Sequence, residues 1–68
     1  MKTNILLKES IVWQQHRQNS RYFYIEREEK IILLRVNNFP DEPLYTLIDG
    51  LYIIDIDDKP DNWLLQFI

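Results

Sequence analysis

Two neighbouring segments, Arg21-Tyr22-Phe23-Tyr24-Ile25-Glu26-Arg27 and Ile31 to Val36, are dominated by aromatic, β-branched and leucine side chains. Such residues pack well on a pleated backbone, and many lose χ1 freedom in a helix, so both segments are predicted strands. The polar break Glu28-Glu29-Lys30 between them makes the pair an antiparallel hairpin. Alternation sets Phe23 and Ile25 with Ile32 and Leu34 on one face, and Tyr22 and Tyr24 with Ile31 and Leu33 on the other. Apolar residues on both faces require a mid-sheet position or cover on both sides.

A second hairpin follows. Leu44 to Ile48 and Leu51 to Ile56 flank Asp49-Gly50, a pair suited to the positive φ of a two-residue type I′ turn. Between the hairpins, Asn37-Asn38-Phe39-Pro40-Asp41-Glu42-Pro43 is a loop, because two prolines remove backbone donors and the asparagines favour turns. Nearer the start, Ile11 to Arg17 reads as a strand ending in a Gln18-Asn19-Ser20 turn. Asn4 to Leu7 is either a strand or a first helical turn, and a helix from Asn4 to Gln18 competes with both readings.

At the other end, Asp58 as N-cap, Asp61 three residues on and Pro60 in the first turn predict a short helix presenting Trp63, Leu64 and Phe67 on one face. A strand from Trp63 to Phe67 is the alternative. The fold class expected is mainly β: one antiparallel meander sheet of four or five strands with a short C-terminal helix. A β-rich α+β arrangement is the variant of it.

The chain has 68 residues, enough for a single domain over 1–68 and too few to divide. Cysteine is absent, so neither a disulfide framework nor a thiolate metal site can staple the fold. The apolar run Ile5-Leu6-Leu7 is too short for a signal-peptide core, and no stretch is long enough to cross a bilayer. A cytoplasmic protein without membrane contact is the expectation. Because more apolar surface is present than one short helix covers, a homodimer or a permanent protein partner is also expected.

Charge is unevenly divided. Residues 1 to 36 hold seven of the eight basic side chains against four acids, whereas residues 37 to 68 hold only Lys59 against seven acids. Either the halves neutralise each other in the fold, or the second half forms an acidic surface that draws in a basic partner.

Enzymatic chemistry finds little material here. There is one histidine, His16, set among glutamines, and two serines, Ser10 and Ser20, in turn-like positions. No nucleophile with a base and an orienting group is legible, so no catalytic residue is assigned and a non-enzyme is expected. The run Asp55-Ile56-Asp57-Asp58-Lys59-Pro60-Asp61 resembles a cation loop only superficially. Lys59 occupies a ligand position, and both the turn glycine and the closing glutamate are missing, so no metal and no cofactor are assigned.

Two binding functions remain. The first is a small interaction or regulatory domain of inhibitor type, meeting a basic protein through Asp41, Glu42, Asp55, Asp57, Asp58 and Asp61. The second is weak single-stranded nucleic-acid binding, with Tyr22 and Tyr24 stacking on bases and Arg21 and Arg27 holding phosphates. The overall acidity and the crowding of Glu26, Glu28 and Glu29 on the same hairpin weigh against nucleic acid.

Overall fold

Period-two alternation is realised in the computed structural model, which describes residues 6–68. The strands are β1 (Ile11–Gln15), β2 (Tyr22–Arg27), β3 (Lys30–Val36), β4 (Tyr45–Asp49), β5 (Tyr52–Ile56) and β6 (Trp63–Gln66). They make one sheet in the order β5-β4-β3-β2-β1-β6. The first five form the expected antiparallel meander, while β6 crosses back to lie parallel to β1, with Ile11 opposite Trp63 and Trp13 opposite Leu65. The sheet therefore has six strands, not four or five.

β2 and β3 occupy its middle, as their two apolar faces require, with Phe23 opposite Leu34, Tyr24 opposite Leu33 and Ile25 opposite Ile32. The inner face carries Trp13, Phe23, Leu34, Leu47 and Trp63, the largest fully buried side chains. Each contributes roughly 1.5–3 kcal/mol or more by leaving water. The two indoles meet edge to face at 5.1 Å between centroids.

The expected C-terminal helix is corrected to a strand. Trp63 is buried, Leu64 exposed, Leu65 half-buried and Gln66 exposed, the alternation of a sheet rather than a helical stripe. So short a helix would be marginal, whereas the strand gains a full ladder against β1. Pro60 sits instead in a turn closed by the Trp63 amide donating to the Pro60 carbonyl at 3.0 Å.

The second hairpin is shifted by one residue. Asp49 pairs with Tyr52, so the loop is Gly50-Leu51, with Gly50 at φ +63° and Leu51 not in the left-handed region. That fits a turn needing glycine at its first central position, in place of the expected Asp49-Gly50 type I′ turn. The shift sets Ile56 opposite Tyr45 and buries it, and an Asp49-Gly50 loop would lose that pair. In the first hairpin, by contrast, the two-residue loop is Glu28-Glu29, and both glutamates adopt positive φ, 52° and 64°.

Near the start, Leu6–Lys8 is a helical turn and Ile11–Gln15 a strand, which rules out a helix continuing to Gln18. Asn4 and Ile5, also part of the expected opening element, lie outside the described residues. Asn19 forms the predicted turn, accepting the Tyr22 amide at its carbonyl at 3.0 Å.

The order of strands forces the sheet to curl. β5 and β6 are its opposite edges, and the connection 57–62 must also return from the end of β5 to the start of β6. In a flat sheet the edges alone would be about 24 Å apart, at about 4.8 Å per strand, the full reach of the extended connection. Curling folds the inner face onto itself, so that Ile11, Tyr45, Ile56 and Trp63 belong to one buried cluster. Leu6 plugs one end of this interior, and its carbonyl accepts the Trp63 indole N–H at 3.0 Å.

Candidate functional site

The Tyr45–Ile56 pairing determines where the acids meet. Loop 37–44 leads into Tyr45 and connection 57–62 leaves from Ile56, so both emerge at the same end of the β4–β5 hairpin. Asp41 and Glu42 thus join Asp57 and Asp58 there, and Asp55 stands one residue inside the strand. All five are exposed. Asp61 is exposed too, but it lies at the β6 end of the connection. Its neighbour Asn62 there accepts the Ile11 amide at 3.1 Å and donates to the Lys8 carbonyl at 2.8 Å.

Hydrogen bonds hold this acidic end in shape. Arg35 donates to Asn37 Oδ1, Asn37 Nδ2 donates to Thr46 Oγ1 at 2.7 Å, and Thr46 donates to Asp55 Oδ1 at 3.1 Å. Loop residues Asn38 and Glu42 bond reciprocally: the Glu42 amide donates to the Asn38 carbonyl at 2.8 Å, and the Asn38 amide to Glu42 Oε1 at 3.0 Å. The closed loop carries Phe39, 61% exposed, beside Asp41. Beneath it Tyr45 faces the interior, and burial pushes its phenol above the usual 10.0.

Mutual neutralisation of the two halves is not seen as contact ion pairs. Among the described residues the ion pair is Arg27 with Glu9, both from the first half. Six acids of the second half, Asp41, Glu42, Asp55, Asp57, Asp58 and Asp61, face water, whereas Asp49 is buried. Among the described residues no three carboxylates or imidazoles converge closely enough to hold a metal ion.

The aromatic-basic set is divided by the fold. Tyr22 and Tyr24 share the outer face, half-buried, opposite Arg35 and Leu33. Arg27 shares the parity of Phe23 and Ile25, and its guanidinium goes to Glu9. Arg21 lies before β2, donating to the Val36 carbonyl at 3.3 Å.

Two features escape sequence reasoning. Phe39 reads as an ordinary loop residue until the loop is seen closed beneath it. The other is a cavity of about 460 Å³ at the opposite end of the sheet, lined by Leu6, Glu9, Arg27, Glu28, Lys30, Ile32 and Asp49. No described helix is long and apolar enough to cross a membrane. Comparison with protein-family models, curated proteins and solved structures finds no match, so a functional reading must rest on these residues themselves.

Proposed function

We propose that this chain is a small non-enzymatic binding domain of inhibitor type, whose acidic end masks a basic surface on a partner protein. One observation carries the reading: Asp41, Glu42, Asp55, Asp57 and Asp58, from two separate segments, converge at one end of the sheet with no cation paired to them among the described residues. Unpaired carboxylates on a pre-shaped surface keep their field available to steer a cationic partner. Phe39 supplies what charge alone lacks, an exposed aromatic anchor within the acidic rim. Asp61 is a peripheral contact in this reading.

A homodimer belongs to the same proposal, through the outer face that adjoins the acidic end at Asp55. Tyr24, Leu33, Ile48 and Ile53 lie side by side across four strands on the outer face, with Ile31 next to them. Ile31 and Ile53 are 54% and 63% exposed, more apolar surface in one row than isolated exposed side chains would make.

The functional test is capture from native lysate by the tagged full chain, run beside a variant carrying Asp41→Asn, Glu42→Gln, Asp55→Asn, Asp57→Asn and Asp58→Asn. A partner should be retained at low salt by the parent chain and lost both from the variant and at high salt. Equal retention by both chains would refute the reading.

A further inference from the structure

At the end of the sheet remote from the acidic loops, Asp49 closes β4 with its side chain on the inner face, in step with Tyr45 and Leu47. It is only 9% exposed, and among the described residues its carboxylate has neither a hydrogen-bond partner nor an ion pair. The carboxylate is not sealed from water, since among the described residues the fully buried side-chain polar atom without a partner is Trp13 Nε1, and its free acceptor capacity is open to a cation entering beside it.

Asp49 lines the cavity of about 460 Å³. The buried side chains of Leu6 and Ile32 contribute apolar walls. Of the charged groups around it, Arg27 and Glu9 are tied to each other. That leaves Asp49 and Glu28 against Lys30, which is exposed and not within ion-pair distance of either.

We infer that this cavity is a receptor for one arginine side chain of a protein partner, with Asp49 as the buried anchor and Glu28 at the rim. The apolar walls suit the methylene stem, and the carboxylate suits the planar guanidinium, whose fork of donors matches it bidentately and which is more weakly hydrated than an ammonium. The inference stands apart from the acidic end, since Asp49 and Tyr45 mark opposite ends of β4.

Titration of the full chain with N-acetyl-L-arginine methylamide, followed by amide NMR, tests it, with the norleucine analogue as the uncharged control. Saturable shifts should centre on Leu6, Ile32, Asp49 and Gly50, and the norleucine analogue should produce none. Asp49→Asn should weaken the arginine probe at least about tenfold, the scale of one lost charge-assisted hydrogen bond, and Lys30→Gln should tighten it by removing the competing charge. Equal shifts from both probes, or shifts centred elsewhere, would overturn the assignment. So would an Asp49→Asn chain that titrates like the parent. If Asp49→Asn fails to fold, the two probes on the parent chain and the exposed Lys30→Gln variant still decide the matter.

Discussion

The two buried tryptophans differ in a way that should be measurable. Trp63 has its indole N–H satisfied by the Leu6 carbonyl, whereas the N–H of Trp13 is buried without a partner among the described residues. Trp63→Phe removes a bond and leaves the Leu6 carbonyl with only the Glu9 amide at 3.2 Å, while Trp13→Phe removes a donor that was already unsatisfied. Urea unfolding should show Trp63→Phe the more destabilising by about 1–2 kcal/mol. Tyr45 supplies a pH signature. Its phenol titrates above the ordinary 10.0 because burial disfavours the phenolate. A group with a raised folded-state value contributes stability that is complete below its unfolded value and is lost as pH climbs through the folded one. Stability should therefore decline above about pH 10, and Tyr45→Phe should flatten the decline in thermal melts taken across that range.

Among the elements, the β2–β3 turn is the clearest place to gain stability. Glu28 and Glu29 both occupy left-handed backbone, a conformation that costs side-chain-bearing residues about 1–2 kcal/mol each and that Asn-Gly accepts readily. Replacing the pair by Asn-Gly should raise unfolding stability by about 1–2 kcal/mol with the fold unchanged. Five strands, β1 to β5, were legible from alternation and turn residues, with a helix from Asn4 to Gln18 competing at β1, because each pairs with a neighbour in sequence. β6 was not. Its few residues fit a helical face through Trp63, Leu64 and Phe67 as well as a strand face through Trp63 and Leu65, and the deciding partner, β1, lies near the other end of the chain. The Gly50 turn was placed one residue early for a related reason: local turn chemistry favours Asp-Gly, whereas the register is decided by burying Ile56 against Tyr45. The charge asymmetry was visible in composition, but the meeting of Asp41 with Asp57 depends on that same register. So does the inward aim of Asp49, which alternation suggests only once β4 is known to extend through it.

For the molecule as a whole, curling the sheet covers one apolar face and leaves apolar side chains of the other exposed. The outer row through Leu33, Ile48 and Ile53 should hold a second copy, so sedimentation velocity should give a dimer, and Ile53→Lys a monomer. Stability of the Ile53→Lys monomer should change by no more than about 0.5 kcal/mol apart from the lost association. The acidic end adjoins this row at Asp55, two residues along β5 from Ile53, and in the proposed reading its acids serve the basic partner. Its part in the account is to accelerate encounter, since long-range attraction acts on the association rate more than on the dissociation rate. The most direct test of the central claim is the association rate of the captured partner across a series of salt concentrations, for the parent chain and for the variant with Asp41, Glu42, Asp55, Asp57 and Asp58 neutralised. The account predicts a parent rate that falls steeply with salt, and a variant rate at least about tenfold slower at low salt and nearly flat. Parent and variant rates that coincide at every salt concentration would contradict it.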